Sequence, residues 1–130
     1  MRVEGFNHVT INVADLAHSL RFYVDALGMR LVHRGRRDAY LEWGTAWVCL
    51  QERPEHAKIP EAHLGVDHVA FTISEADFND AVVWLKEKGV TIKKGPMTRG
   101  VGQSVYFCDP DGNTLELHTS DLQTRMSVWK

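Results

Sequence analysis

Apolar and polar side chains alternate along three short segments of the chain, which is the pattern of strands with one buried face. In FNHVTINV, at residues 6–13, valine and isoleucine alternate with polar residues. VDHVAFTI at 66–73 and TLELH at 114–118 alternate in the same way. The polar faces of these three predicted strands carry His8, His68 and Glu116.

The first two segments each begin a similar module of the chain. Apolar residues recur at helical spacing over 16–27 and again over 78–85, and Gly28 and Gly89 fit the left-handed position after a helix end. Three strand-like runs then follow each helix: MRLVHR, DAYLEW and AWVCLQ, then VTIKK, QSVYFCD and TLELHT. The sequence therefore predicts an α+β fold of two tandem βαβββ modules. One module alone would leave a sheet face open, so two must pair, within a chain or between chains.

The predicted limits of this organisation follow the composition of the connecting segments. Module one is expected over about 4–52 and module two over about 66–120, within a single domain that covers 1–130. The charged, proline-containing segment 53–65 between them is predicted to be a linker, and 121–130 a C-terminal tail.

Composition and charge add little to this fold. The 130 residues are 44% hydrophobic and 25% charged, with a formal net charge of −2, so bulk charge suggests neither nucleic acid nor a membrane as partner. Apolar runs fall short of the roughly 18 residues that span a bilayer, and the start lacks a signal-peptide pattern. Cys49 and Cys108 are predicted to be reduced, buried thiols of a cytoplasmic protein.

The residue types on the three polar faces suggest a metal site. For any one of them, a solvated sheet face is the simpler interpretation. Two imidazoles and one carboxylate at repeated positions are, however, a ligand set for a divalent metal such as Mn, Fe, Ni or Zn, with positions left open for a substrate.

These features resemble the vicinal oxygen chelate superfamily, and within it the fosfomycin-resistance thiol transferases. The resemblance is carried by NHVTINVADLAHSLRFYVDALG, AYLEWGTAWVCL, SVYFCDPDGNTLELH and DLQTRM. It implies a cupped mixed sheet around a metal, most simply Mn(II), bound by His8, His68 and Glu116. It also implies a homodimer in which His8 comes from one chain and the other two ligands come from the second.

The same resemblance implies roles for further residues. Thr10 lies where the glutathione-using type carries a threonine that helps to activate the bound oxyanion, so glutathione is the expected co-substrate; the bacillithiol-using type tends to carry cysteine there. The positions that match the phosphonate pocket are Tyr40, Trp47, Lys94, Ser104, Tyr106 and Arg125. Lys94 matches only if the predicted loop GPMTRGVGQ at 95–103 is gapped, and potassium binding, which some relatives place in that loop, stays open.

The predicted function is metal-dependent addition of glutathione to the epoxide of fosfomycin. A metal can polarise the epoxide oxygen while a thiolate attacks carbon, and a phosphonate suits Arg, Lys and hydroxyl donors. Glyoxalase I chemistry is disfavoured because the strand AWVCL lacks a second carboxylate. His118, on the face of Glu116, could act as a base, but the favoured interpretation is an exposed strand-end residue without a role.

Three other functions stay open at this point. One is hydrolysis of the epoxide, with Asp38 near the position of the base. Another is a lyase or dioxygenase reaction on an unrelated oxygen-rich metabolite, and the third is ligand binding without catalysis.

Overall fold

In the structure, a computed structural model that describes residues 1–128, the elements follow the order that the sequence predicts. Module one contains β1 (Val9–Val13), α1 (Leu16–Leu20) with a π-helical continuation (Arg21–Ala26), β2 (Arg30–Arg34), β3 (Asp38–Trp43) and β4 (Ala46–Glu52). Module two contains β5 (Val69–Thr72), α2 (Glu75–Glu87), β6 (Thr91–Arg99), β7 (Gly102–Cys108) and β8 (Thr114–His118), and α3 (Leu122–Val128) follows it.

The two modules form four-stranded mixed sheets with one topology. The strand order is β1-β4-β3-β2 in the first sheet and β5-β8-β7-β6 in the second. In each sheet the first strand of the module pairs in parallel with the last, and the remaining neighbours are antiparallel. The predicted α+β class and the tandem βαβββ arrangement are confirmed.

The chain divides into two compact units, Met1–Ala57 and a second that begins at Lys58. This boundary lies inside the predicted linker, 53–65, where the chain has turns and bends but no helix or strand. The assignment of 1–130 to a single domain, with the module limits given above, stays a prediction. Residues 129 and 130 of the predicted tail lie outside the described residues.

Helices α1 and α2 each cover the apolar face of the sheet in their own module. α1 contacts β4, and α2 contacts β6 and β7. The helix residues predicted to face the core are all buried, namely Leu16, Leu20, Tyr23, Leu27, Phe78, Val82 and Leu85. Burying one such side chain contributes about 1.5–3 kcal/mol to folding. Among residues 1–128, no helix is long and apolar enough to cross a membrane.

Both α1 and α2 begin at residues that cap them, but the first helix changes type in its second half. Asp15 caps α1 by accepting the His18 N–H at 3.0 Å, and Ser74 caps α2 by accepting the Asp77 N–H at 3.2 Å. After Leu20 the chain widens into a π-helix, in which the Leu27 N–H donates to the Phe22 carbonyl. Apolar spacing did not predict this, because both helix types can keep such a stripe toward the core.

The segment 95–103 is a β-hairpin, so its prediction as a loop was wrong. β6 continues to Arg99, and β7 begins at Gly102. The register shifts between Lys94 and Met97, where Gly95 has a φ of +89° and a Cβ would lie 2.8 Å from the Ser104 carbonyl oxygen. Glycine and proline suggested a loop, but a bulge accommodates both within the strand.

Candidate metal and substrate site

Module two brings two of the predicted metal ligands together. Glu116 lies in the middle of β8, opposite Ala70 of β5 and Tyr106 of β7. His68 directly precedes β5, and its Nε2 lies 2.8 Å from Glu116 Oε1. Glu116 is only 6% exposed. A buried carboxylate is costly unless it is paired or binds a cation, so the surroundings of this side chain decide its role.

The turn before β8 sets the register that places Glu116. Asp109 Oδ1 accepts the N–H groups of Asp111 and Asn113 at 3.0 and 2.8 Å, and its Oδ2 accepts the Asn113 side-chain amide at 2.8 Å. The residues PDGN, at 110–113, are typical of a tight turn. The Asp109 carboxylate holds that turn and so fixes the pairing of Glu116 with Tyr106.

The imidazole of His68 is held from two sides. Its Nδ1 lies 2.8 Å from Asp67 Oδ2, and this hydrogen bond holds the pKa of the Asp67 carboxyl below its usual range. The Tyr106 ring meets the imidazole edge-on, with 5.3 Å between the ring centroids. A carboxylate behind an imidazole is a common support for a metal-binding histidine. Sequence reasoning missed Asp67, although the Asp-His pair at 67–68 was visible.

The second oxygen of Glu116 belongs to a small polar network. Ser104 Oγ donates to Glu116 Oε2 at 2.6 Å and lies 2.7 Å from His118 Nδ1. Ser104 is completely buried, and its predicted contact with substrate stays a prediction. The expectation that His118 is exposed was wrong, because its side chain is only 18% exposed and contacts Ser104.

In module one, His8 begins a row of aromatic rings. Its Nδ1 donates to Asn7 Oδ1 at 2.6 Å, and its ring lies 4.4 Å from that of Trp47. Trp47 meets Tyr40 edge-on at 5.7 Å, and Tyr40 lies 5.3 Å from His33. Trp47 and Tyr40 are 39% and 40% exposed. This face therefore offers exposed aromatic surface beside a candidate ligand.

Thr10 lies beside a buried thiol in the same sheet. It is opposite Cys49 in β4, which is in turn opposite Tyr40 in β3. Burial raises the pKa of the Cys49 thiol, while hydrogen bonds to Thr10 and Trp47 act in the lowering direction. Cys49 and Cys108 are both free, as predicted, although Cys108 is only partly buried.

The two predicted basic residues lie in β6 and in α3. Lys94 is exposed and opposite Tyr106, so both side chains share one face of the sheet. Arg125, in α3, donates to the Arg99 carbonyl at 3.2 Å, and its guanidinium lies against Gly100. The hairpin end thus holds the Arg125 side chain in place.

Among residues 1–128, no three His, Cys, Asp or Glu side chains form a group that could hold a metal ion. Module two brings together two candidate ligands, His68 and Glu116. Their role as metal ligands and the completion of the set by His8 stay predictions. The pair itself suits a divalent metal, because it joins one imidazole nitrogen and one carboxylate oxygen. Asp67 and Ser104 hold these two ligands in orientation.

Comparison with known proteins places this geometry in a family. The model of the Glyoxalase/Bleomycin resistance protein/Dioxygenase superfamily matches residues 5–117. The chain belongs to this superfamily. Its resemblance to the fosfomycin-resistance members of the superfamily is also confirmed by the relatives that follow.

Two relatives and one solved structure illustrate the similarity. The chain is 40% identical to Metallothiol transferase FosB of Staphylococcus epidermidis, over 98% of this chain and 92% of the relative. It is 38% identical to Glutathione transferase FosA of Serratia marcescens, over 97% and 88%. The fosfomycin resistance protein FosX of Listeria monocytogenes, solved with Mn(II) and sulfate, is 25% identical with a TM-score of 0.79 over 97% of this chain and 98% of that one.

Proposed function

We propose that this chain is a metal-dependent transferase that opens the epoxide of fosfomycin with a thiol. The finer proposal is that the thiol is glutathione and the metal Mn(II). The observation that carries the proposal is the buried Glu116 carboxylate, 2.8 Å from His68 Nε2. It lies in a chain that is 40% and 38% identical to a metallothiol transferase and a glutathione transferase.

The proposed metal ligands are His68 and Glu116 of one chain and His8 of the second chain in a homodimer. Two observations favour this proposal. Asp67 and Ser104 hydrogen-bond to His68 and Glu116, and the FosX relative was solved with Mn(II). When bound, the metal would supply Lewis-acid polarisation of the epoxide oxygen.

In the proposed reaction, the thiol sulfur attacks one epoxide carbon and the bond from that carbon to oxygen breaks. The oxygen keeps the bonding electron pair and then takes a proton, while the thiol proton goes to solvent. We assign Thr10 the role of a hydroxyl donor to this oxygen as its charge develops.

The proposed phosphonate pocket combines cations with hydroxyl and aromatic groups. Its members would be Tyr40, Trp47, Lys94, Tyr106 and Arg125. Ser104 was also predicted there, but it is completely buried and its hydroxyl donates to Glu116. Guanidinium and ammonium groups suit the two negative charges of a phosphonate. Support comes from the shared face of Lys94 and Tyr106 and from the anchoring of Arg125 on the Arg99 carbonyl. A cytoplasmic location, where glutathione keeps thiols reduced, fits this activity and the free cysteines.

Hydrolysis of the epoxide is the second candidate, since FosX is a structural relative. The candidate base for that reaction, Asp38, has its carboxylate turned onto Gly35 in the β2–β3 turn. This orientation favours the transferase proposal over hydrolysis.

Mass spectrometry of the products tests the proposal. Purified protein with Mn(II) is incubated with fosfomycin and glutathione, cysteine, bacillithiol or no thiol. We expect the adduct to form fastest with glutathione. A product carrying only added water would establish the hydrolase, and absence of any adduct with every thiol would reject the transferase.

A further inference from the structure

The side chains of Ser104, Glu116 and His118 form a largely buried chain of hydrogen bonds, here called the relay, on one face of β7 and β8. Ser104 lies opposite His118 in the register of these strands, and Glu116 lies two residues before His118. Ser104 Oγ is 2.6 Å from Glu116 Oε2 and 2.7 Å from His118 Nδ1, whereas Nδ1 itself is 3.6 Å from Oε2. The serine hydroxyl therefore connects the other two groups.

Counting protons gives this relay a direction. An ionised carboxylate can only accept, and a serine hydroxyl has one proton to give. Since that proton goes to Glu116, the short contact with His118 must be a hydrogen bond from Nδ1–H to Ser104 Oγ. The imidazole thus donates to the Ser104 oxygen, and the Ser104 proton points toward Glu116 Oε2. The other carboxylate oxygen, Oε1, faces His68 Nε2 at 2.8 Å.

The backbone leaves room for the imidazole where a side chain would otherwise lie. A Cβ on Gly102 would come within 3.2 Å of His118 Cε1, 3.0 Å of Thr119 Oγ1 and 2.8 Å of Ser120 Cβ. Thr119 is bonded to β7 in both directions, through its N–H to the Gln103 carbonyl and through its Oγ1 from the Gln103 N–H. The end of β8 is therefore fixed, and the ring of His118 with it.

We propose that His118 is a positioning residue for the metal, which acts through Ser104 to fix the Glu116 carboxylate in its metal-binding orientation. The inference rests on the proposed function, because it takes Glu116 as a ligand. His118 itself touches neither metal nor substrate in this account. Its contribution is to keep Oε2 occupied and Oε1 directed at the site.

Calorimetric titration of metal-free protein with Mn(II) tests this role. Since loss of an outer support commonly weakens metal binding by about 10–100-fold, we expect His118→Phe, which keeps a ring but removes the donor, to lose about 10-fold. His118→Asn should recover most of the affinity, because its side-chain amide can donate from about the position of Nδ1. In a Ser104→Ala background, His118→Phe should change the affinity by less than about twofold.

The thermal midpoint of each metal-free variant serves as the control for folding. If His118→Phe does not fold, Ser104→Ala and His118→Asn test the relay by themselves. The inference would be overturned if His118→Phe or Ser104→Ala bound Mn(II) within twofold of the parent. It would also be overturned if His118→Asn bound Mn(II) as weakly as a folded His118→Phe variant. Glu116→Gln separates the two levels: if it retains Mn(II), the proposed metal site is wrong, whereas if it loses Mn(II) and His118→Phe does not, only the relay is wrong.

Discussion

The two modules share strand order and the pairing of their central residues, yet their polar faces differ at corresponding positions. In each sheet a tyrosine of the third strand, Tyr40 or Tyr106, lies opposite the central residue of the last strand. That central residue is Cys49 in module one and Glu116 in module two. The same backbone therefore presents a neutral thiol in one half and a carboxylate in the other.

The supports around these positions differ as well. Ser104 and His118 lie opposite one another, next to Glu116, and form the relay with it. The corresponding pair in module one is Asp38 and Gln51, and Gln51 donates instead to the Arg37 carbonyl. The duplicated fold thus supplies equivalent positions in both modules, and only module two places a buried carboxylate at the central one.

The largest effect in this comparison is expected at the central position. Glu116→Gln keeps the size of the side chain but removes the charge, so Mn(II) affinity should fall by more than the roughly 10–100-fold typical of outer supports. The matched control is Cys49→Ser, which should bind Mn(II) as the parent does. Calorimetric titration measures both, and an equal loss in the two variants would show that the modules contribute alike.

A second contrast lies behind the two histidines. Asp67 supports His68 with a carboxylate, whereas Asn7 supports His8 with an amide. Because a carboxylate raises the basicity of the ligand it supports, Asp67→Asn should weaken Mn(II) binding about 10-fold. The reciprocal change, Asn7→Asp, should preserve or strengthen it. Metal competition assays on both variants check this. Unchanged Mn(II) affinity in Asp67→Asn would show that the carboxylate behind His68 gives no advantage over the amide behind His8.

Helix caps give a smaller and more even effect. Asp15 and Ser74 each accept a backbone N–H at the start of a helix. Replacing either by alanine should lower the free energy of unfolding by about 1 kcal/mol. Urea denaturation measures both losses, and a change below about 0.3 kcal/mol in one variant would mean that its helix does not depend on the cap.

The smallest expected effect concerns the protonation of Cys49. Since burial raises its pKa, the folded state holds this proton more tightly than the unfolded chain. The resulting stability is complete below the unfolded thiol pKa and is lost as pH rises through the raised folded value. In a Cys108→Ser background, alkylation of Cys49 should have its midpoint above the ordinary value of about 8.5. A midpoint at or below that value would contradict the burial argument.

Much of the fold could be predicted because strand and helix periods are local. The strands around His8, His68 and Glu116 and the stripe of Phe78, Val82 and Leu85 all follow from spacing. The hairpin at 95–103 could not be predicted in this way. Gly95 and Pro96 lie in a bulge just before Met97 pairs with Ser104, and these two residue types usually indicate a loop.

The candidate site shows the same division. Residue type and repetition selected Glu116 and His68, which the fold does bring together. The relay was missed because Ser104 and His118 are 14 residues apart and meet only through strand register. Asp67 is next to His68 in the sequence. The direction of its side chain depends on the backbone conformation just before β5, which the residue type alone does not reveal.

The central claim is metal-dependent opening of fosfomycin by a thiol, and phosphorus NMR follows it most directly. Purified protein with Mn(II) and glutathione is mixed with fosfomycin, before and after removal of the metal by a chelator and dialysis. We predict that the fosfomycin resonance is replaced by that of the glutathione adduct, that this stops on metal removal, and that it resumes when Mn(II) is restored. No adduct with Mn(II) present, or an undiminished rate without metal, would contradict the account.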